Sequence, residues 1–261
     1  MKVVKILSLE RFRSKVRQIV KERGLVGAEV SVTVKPLTPE EAIGDPRRRD
    51  YPILEGRERV IEAAVLGARG QAFTDSPACF EGKLGEVLDL MLETSGKRAV
   101  FIAAANAALA HLGMARGTAH CKDEEPEECA SEMAESAREL GVKSVGLIGL
   151  NPAIAEALTK GFGAENVKIT DLNPQNIGKN RFGVPVWDGK AQIPQLIISS
   201  DMVVITGTTL VNGTYDGIMQ LVRERGKKHA IYGVTAAGFC ELMNIARWCF
   251  RAKNGGPRQT I

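Results

Sequence analysis

The pattern of apolar and polar positions predicts a chain in which helices and strands are both frequent. Apolar residues at helical spacing predict helices at 6–23, 82–93, 98–112, 126–140, 152–160, 193–199 and 215–225. Alternating or continuous apolar runs predict strands at 26–34, 59–66, 70–73, 144–150, 167–171, 202–206 and 229–234. Between them, the proline-rich segment 36–49 with its arginine triplet is expected to be an exposed, solvated loop.

The order of these elements predicts an α/β protein with two domains. In residues 1–115, a helix, a strand, a hairpin and a helix pair indicate a small N-terminal α+β domain. In residues 116–261, strands alternate with helices, and the strands are continuous apolar runs of the kind found in buried parallel sheets. Right-handed crossovers then give a Rossmann-like, doubly wound parallel sheet, whose ligands bind beyond the carboxyl ends of the strands. The tail 254–261 is expected to fray.

Composition narrows the classes of function. The 261 residues carry a net charge of +4, the basic residues are scattered, and aromatic residues make up 5%. A nucleic-acid surface needs clustered basic residues with aromatics for stacking, so no nucleic-acid partner is expected. The longest apolar run, 99–115, is too short to span a membrane, so no membrane association is expected either. A homodimer is the default expectation for oligomeric state.

Cysteine usage favours a cytoplasmic protein with reduced thiols. There are five cysteines, no pair has C-x-x-C spacing, and no signal peptide precedes them. Cys129 shares an apolar helix face and is interpreted as core, as are Cys240 and Cys249. His120 and Cys121 lie in the connector between the two domains, and both residue types bind transition metals. They are the candidate metal ligands, although no short ligand pair supports a structural zinc site.

Polar residues follow two strands of the predicted parallel sheet. Asp171 ends one strand, where a carboxylate either holds hydroxyl groups of a ligand or initiates the turn that follows. After the strand 202–206 comes a segment rich in glycine and hydroxyl groups, which can cradle a polar ligand or form a turn capped by Thr214. The candidate ligand-binding residues in these two segments are Asp171, Thr206, Gly207, Thr208 and Asn212.

Two further polar residues are weaker candidates for contact with a ligand. Thr74 ends the predicted hairpin, and Asn106 is a lone amide in a helix crowded with alanine. A buried amide requires hydrogen-bond partners, so each residue has a structural interpretation beside the functional one.

The first turn of the predicted parallel sheet lacks the fingerprint of dinucleotide-binding proteins. The segment 146–152 reads Gly-Leu-Ile-Gly-Leu-Asn-Pro, and the pattern G-x-G-x-x-G is absent. Asn151 and Pro152 suit the start of a helix better than a pyrophosphate site. A nicotinamide dinucleotide is therefore not expected as cofactor.

Four segments together resemble a family of unknown function whose members are described as heavy-metal chelation proteins. They are Gly70–Asp75, Gly117–Cys129, Ile169–Pro174 and Thr206–Thr214, and the resemblance extends over about residues 50–250. The resemblance implies an N-terminal domain like that of enolase, a Rossmann-like C-terminal domain and a site between them. It does not by itself imply that this chain binds a metal.

The leading hypothesis is a small-molecule-binding protein that acts at the cleft between the domains. The ligand is expected to be a metal-chelating or anionic metabolite, and the sequence leaves open whether a reaction is catalysed. One alternative is a protein that binds or delivers heavy metals without catalysis. A second alternative, a nucleotide-dependent oxidoreductase, lacks the fingerprint that its cofactor requires.

Overall fold

The fold contains two sheets. The computed structural model describes residues 7–25, 31–56 and 58–253. Within these ranges, one sheet has four antiparallel strands and the other has seven strands that are mostly parallel. The mixed α/β class predicted from the sequence is confirmed. The predicted strand 26–34 lies partly outside the described residues, and the predicted frayed tail lies wholly outside them.

The N-terminal part builds the smaller sheet and the helices that cover it. Its strands pair in the order β3-β2-β1-β4, and the β2–β3 hairpin closes at Leu66 and Gly67. Its elements are α1 (Leu7–Glu22), β1 (Ser31–Pro36), α2 (Pro39–Ile43), β2 (Arg59–Val65), β3 (Ala68–Thr74), β4 (Phe80–Lys83), α3 (Leu84–Asp89) and α4 (Ser95–His111).

The C-terminal part builds the larger sheet in the order β11-β10-β9-β5-β6-β8-β7. The chain leaves β5 toward one side of the sheet and later returns to the other side at β9, so the two neighbours mark a topological switch point. The elements are α5 (Glu125–Glu139), β5 (Val145–Ile148), α6 (Pro152–Phe162), β6 (Val167–Asp171), β7 (Asn180–Arg181), β8 (Val184–Asp188), α7 (Ile193–Ile198), β9 (Met202–Thr206), α8 (Thr208–Asn212), α9 (Tyr215–Glu224), β10 (Lys228–Tyr232), α10 (Ala237–Met243) and β11 (Arg247–Trp248).

Several predicted boundaries change. Part of the exposed loop 36–49 forms the short helix α2, because Thr38 and Glu41 build a capping box at its start. The predicted helix 82–93 shortens to α3, since β4 occupies the residues before it. The predicted ligand loop 206–214 contains the helix α8. The strands β7, β8 and β11 and the helix α10 have no counterpart among the predicted elements.

A shared hydrophobic core joins the two parts. One cluster of buried side chains contains residues of α1, α4, β2 and β3 together with residues of α9, β9 and α10. The alanine-rich α4 is buried along most of its length and packs directly on β3. A methyl group at Gly70 of β3 would lie 2.2 Å from the backbone nitrogen of Ala107 in α4. The division at residues 115 and 116 stays a prediction, and the packing across it is continuous.

Asn106 of α4 is fully buried and connects three separate segments. Its Nδ2 lies 3.1 Å from the carbonyl of Gln71, 3.2 Å from that of Val234 and 3.3 Å from that of Thr235. Its Oδ1 accepts a hydrogen bond of 2.8 Å from the amide of Gly238. The predicted ligand contact is therefore corrected: the amide satisfies backbone groups between β3 and the residues that follow β10, and no surface of it faces solvent.

The connector between the two parts is held along β3. The amide of Gln71 donates to the carbonyl of Thr118 at 2.9 Å, and the Gln71 side chain accepts from the amide of His120 at 2.8 Å. On its other side, Ala119 pairs with Lys253 in an antiparallel bridge. In the described part of the chain, no helix is long and apolar enough to cross a membrane.

We expect Asn106→Ala to lower the free energy of unfolding by at least about 1–3 kcal/mol. The substitution leaves buried carbonyl and amide groups of β3 and α10 without partners, and each such group costs roughly this much. Urea denaturation of the wild type and the variant measures the difference. The control is Gln18→Ala, which removes an exposed amide of α1 and should change stability by less than about 0.5 kcal/mol. Equal stability of Asn106→Ala and the wild type would contradict the role assigned to this side chain.

Candidate functional site

The carboxyl ends of β5, β9 and β10 meet at the switch point of the larger sheet. Gly149 follows β5 with a φ of 87°, and a methyl group on it would lie 2.6 Å from Cγ2 of Thr206. The hydroxyl of Tyr232 donates to the carbonyl of Gly149 at 2.9 Å. The close approach of these strand ends therefore requires glycine at position 149.

Asp171 orders the turns beside the switch point. Its carboxylate accepts hydrogen bonds from the amide of Leu150 at 3.2 Å, the amide of Asn173 at 2.8 Å and Nδ2 of Asn176 at 3.1 Å. The side chain is partly exposed. Both interpretations offered by the sequence are therefore compatible with the geometry: Asp171 initiates its turn and still presents a negative charge to the space beyond the strands.

Two more carboxylates face this edge from the smaller sheet. Arg59 and Thr74 form the last pair of the β2–β3 hairpin, so Glu58 and Asp75 stand opposite each other at its open end. Among the described residues, the Glu58 carboxyl has no hydrogen-bond or ion-pair partner. Burial, followed by the charges of Asp171 and Asp75, raises the pKa of Glu58 to about 7. Glu58 is therefore a carboxyl group that can hold or release a proton near neutral pH.

His120 lies on the connector beside the hairpin. Its ring meets the ring of Phe73 edge to face, with centroids 5.3 Å apart. Its Nδ1 lies 2.6 Å from the carbonyl oxygen of Cys121, and because a carbonyl only accepts, Nδ1 carries the proton. Desolvation lowers the pKa of the ring, which keeps it neutral. Nε2 is thus an acceptor, and it has no partner among the described residues.

These side chains lie along the edge between the hairpin and the strand ends, which we call the crevice. Burial, and to a smaller extent the charges of Glu58 and Asp171, raises the pKa of Tyr232, so the three groups lie near one another. The amide of Phe73 donates to Oγ1 of Thr235 at 3.0 Å, which fixes the hairpin against the residues after β10. A band of partly exposed residues runs along this edge and indicates that water reaches it: Glu58, Phe73, His120, Gly149, Leu150, Asp171, Thr206 and Thr208.

The hydroxyl-rich segment after β9 contributes two of its predicted residues to the crevice. The hydroxyls of Thr206 and Thr208 are partly exposed and lie 3.0 Å apart. Gly207 is buried, and a methyl group on it would lie 3.0 Å from the backbone nitrogen of Ala236. Asn212 lies at the end of α8, and its Oδ1 accepts from the amide and the hydroxyl of Thr214 at 3.1 and 2.8 Å. In this structure the Asn212 oxygen therefore serves the turn that follows its own helix.

Thr74 performs a structural task similar to that of Asn212. Its side chain is buried, and Oγ1 accepts a hydrogen bond of 3.0 Å from the amide of Ser76. The bond shapes the turn that carries Asp75, so Thr74 acts on the crevice by positioning its neighbour.

The predicted metal ligands His120 and Cys121 lack the companions that a closed metal site requires. Cys121 is buried, burial raises its pKa well above the usual range, and its sulfur lies 3.9 Å from the already bonded Nδ1 of His120. No group of three or more His, Cys, Asp or Glu side chains in the described part of the chain is arranged to hold a metal ion. The pair does not fit a structural zinc site, which takes four ligands.

A concavity of about 590 Å³ lies beside α5, outside the crevice. Its arginines are already paired: Arg48 contacts Asp50, Glu127 and Glu156, and Arg49 contacts Asp45. Arg47 and Arg49 are exposed, as expected for a solvated edge, whereas the Arg48 side chain is only 15% exposed and does not fit that expectation. The concavity is lined by Arg47, Arg48, Arg49, Asp50, Glu124 and Glu127.

A comparison with known protein families finds one match, in the C-terminal part of the chain. The model of the family DUF364, described as "Putative heavy-metal chelation", matches residues 132–243. The resemblance predicted from the sequence is thus confirmed. The matched region includes the segments 169–174 and 206–214, whereas the segments 70–75 and 117–129 lie outside it.

Two solved DUF364 structures show the same fold. The protein of unknown function from Pyrococcus horikoshii is 14% identical, with a TM-score of 0.53 over 88% of this chain and 80% of that chain. The one from Desulfitobacterium hafniense is 12% identical, with a TM-score of 0.50 over 92% of this chain and 83% of that chain. No curated protein matches the chain.

Sequence reasoning did not identify two residues of the crevice, Glu58 and Tyr232. Away from the crevice, Cys249 was interpreted as core, although it is only partly buried. One signal for Glu58 exists in the sequence: Glu58, Val60 and Glu62 are spaced two residues apart at the start of a predicted strand, so they share one face, and two acids beside a valine on such a face are unusual. The carboxylates that raise its pKa are distant in sequence, so their effect could not be predicted.

Glu58 makes stability depend on pH. Its pKa is raised in the folded protein, so the native state binds the proton more tightly, and stability falls as pH rises from about 4.5 to about 7. We expect Glu58→Gln to melt a few degrees above the wild type near pH 8, since ~1 kcal/mol shifts the melting temperature of a protein of this size by about 2–4 °C. Near pH 5 the two should melt together.

Calorimetry or dye-monitored melting at the two pH values measures this difference. Glu81→Gln is the matched control, because Glu81 is exposed on β4 of the same sheet. A difference between Glu58→Gln and the wild type that does not change with pH would contradict the raised pKa.

Proposed function

We propose that the protein binds a small metabolite in the crevice and that Glu58 exchanges a proton with this ligand. The observation that carries the proposal is the Glu58 carboxyl, which faces Asp75 and Asp171 without a hydrogen-bond partner among the described residues. Partly buried carboxyl groups normally have partners, and a group that titrates near neutral pH in a crevice is a typical functional group.

The charge of the crevice favours one class of ligand over another. Glu58, Asp75 and Asp171 bring negative charge, whereas His120 is neutral. An anionic metabolite, one of the two predicted classes, would be repelled by these carboxylates. A positively charged ligand fits better, and a metal-chelating metabolite bound as its cationic complex belongs to this class. Binding such a ligand favours the ionised form of Glu58, so the proton leaves as the ligand enters.

The other crevice groups complement this charge. Nε2 of His120 accepts a hydrogen bond, and the hydroxyls of Thr206 and Thr208 both donate and accept. Asp171 and Thr74 hold the turns that present the charged groups. In this arrangement Glu58 is the candidate general base, and His120 and the two threonines orient the ligand.

A nucleotide-dependent oxidoreductase receives less support from the geometry. A pyrophosphate in a Rossmann-like sheet is held by free amide groups at the first turn. Here the amide of Gly149 donates to Thr170 at 2.9 Å, that of Leu150 donates to Asp171, and that of Ile154 donates to Asn151 at 3.2 Å. Pro152 has no amide hydrogen. Few donors of this turn remain for a phosphate.

The test is to identify small molecules that co-purify with the protein. Wild type, Glu58→Gln and the control Glu81→Gln are purified in parallel near pH 8, denatured, and the released compounds are measured by mass spectrometry. We expect one compound in the wild type and the control, reduced at least tenfold in Glu58→Gln because the ionic attraction is lost. Washing the wild type near pH 5, where Glu58 is protonated, should release the same compound. Equal recovery from Glu58→Gln would contradict the proposal.

A further inference from the structure

One face of the β2–β3 hairpin forms a wall of the crevice. Side chains alternate between the two faces of a strand, so Gln71, Phe73 and Asp75 project to the same side of β3 and its end. On β2, Val60 is the cross-strand partner of Phe73, and Glu58 precedes Val60 by two residues. Glu58, Phe73 and Asp75 therefore share the face of the hairpin that ends at the crevice.

His120 joins this wall from the connector. Its amide donates to Oε1 of Gln71 at 2.8 Å, and its ring centroid lies 5.3 Å from that of Phe73. Since Gln71 and Phe73 belong to the face just described, the imidazole lies over the same face. Nδ1 carries the proton that is shared with the carbonyl of Cys121, so Nε2 is an acceptor.

The hairpin supplies partners to one of the acids on this face and not to the other two. Glu62, four residues after Glu58 on β2, accepts from Nε2 of Gln71 at 2.8 Å and lies 4.0 Å from Arg69. Within the described ranges, the carboxyl groups of Glu58 and Asp75 have neither a hydrogen bond nor an ion pair. The acceptors of this face that lack partners thus lie at its crevice end, where Glu58 is partly exposed and Asp75 is exposed.

The polar groups at the crevice end of the wall accept hydrogen bonds and do not donate them. An ionised carboxylate only accepts, and so does Nε2 of the neutral His120 ring. A ligand group that binds here must supply N–H or O–H hydrogens, and a positive charge on it is attracted by both carboxylates. A primary ammonium has three N–H donors, one for each of Glu58, Asp75 and His120. The partly exposed ring of Phe73 attracts a cation as well.

A bare metal ion is a poorer occupant of this wall. Metal ions require donor atoms that converge at about 2.0–2.6 Å. No group of three or more His, Cys, Asp or Glu side chains in the part of the chain that the structure describes converges in this way. On the basis of the proposed function, we propose that the crevice ligand is a primary amine, whose ammonium group donates to Glu58, Asp75 and Nε2 of His120.

The wall then distinguishes amines by their N–H groups. A quaternary ammonium has the same charge but no hydrogen to donate, so it would leave the desolvated carboxylates and the imidazole nitrogen without hydrogen bonds. The charge alone supports any organic cation, whereas the set of acceptors selects a primary amine. This difference can be measured with two cations that share one alkyl chain.

The experiment titrates the full-length protein with butylammonium and, separately, with butyltrimethylammonium, and follows binding by NMR. It is carried out near pH 8, where Glu58 is ionised and an alkylammonium keeps its proton. We expect butylammonium to bind at least tenfold more tightly than its trimethyl analogue. Glu58→Gln and Asp75→Asn should each lower its affinity at least fivefold, and Glu81→Gln should match the wild type.

The outcomes separate this assignment from the proposed function. Equal affinity for the two cations, lowered for both in Glu58→Gln, would overturn the primary amine and leave the crevice as a site for positive charge. Binding of neither cation, by a protein that still releases a Glu58-dependent compound, would also overturn the amine alone. Butylammonium binding that Glu58→Gln and Asp75→Asn leave unchanged would overturn it too, because the cation then lies elsewhere. Selective binding that depends on Glu58 supports the amine even if no compound co-purifies.

A second measurement uses the imidazole nitrogens of the wild type. The chain has three histidines, and two of them serve as internal references: His111 lies at the end of α4, and His229 lies at the start of β10, at the edge of the sheet opposite the crevice. We expect the Nε2 resonance of His120 to move as butylammonium saturates the site, and the resonances of His111 and His229 to stay in place. A His120 resonance that does not move at saturation would overturn the proposed contact.

Discussion

Within the shared hydrophobic core, one buried side-chain amide fixes how the smaller sheet sits against the larger sheet. Asn106 donates to carbonyl groups of β3 and of the residues after β10, and it accepts from the amide of Gly238 in α10. Backbone groups at these places would otherwise be buried without partners, and each unsatisfied group costs roughly 1–3 kcal/mol. The smaller sheet therefore has one favourable position against the larger sheet, since another position leaves the amide and its partners unpaired.

The properties of the crevice follow from this constraint. Glu58 is on the hairpin, Asp171 is on the larger sheet, and the pKa of Glu58 depends on how closely the two face each other. The bond from Phe73 to Thr235 and the bond from Gln71 to Thr118 add two attachments along the same edge of β3, since the amides of residues two apart in a strand point to the same side. A shift of the hairpin would separate the carboxylates and return the pKa of Glu58 toward its usual value. The chemistry of Glu58 is thus a consequence of how the smaller sheet packs against the larger one.

Much of the fold could be predicted from local pattern, and much of the candidate site could not. The strands around Leu147, Ile169 and Val204 are continuous apolar runs, and their class and order are evident from the sequence. By contrast, β7 and β11 have two residues each, and no periodicity exists over so short a length. The helix α8 contains Thr208, Thr209 and Val211, residues with low helix propensity, and tertiary packing of its buried side decides its conformation.

At the candidate site, the residue types in a segment suggest one role, and the contacts that those residues make show another. Asn106 and Thr74 are polar, which made them candidates, yet their hydrogen bonds go to backbone groups within the protein. Glu58 looked like an ordinary charged residue before a strand, and its environment is made by Asp75 and Asp171 from two other segments. Residue type did identify Thr206 and Thr208, because polar residues that follow neighbouring parallel strands lie together at the carboxyl edge of the sheet.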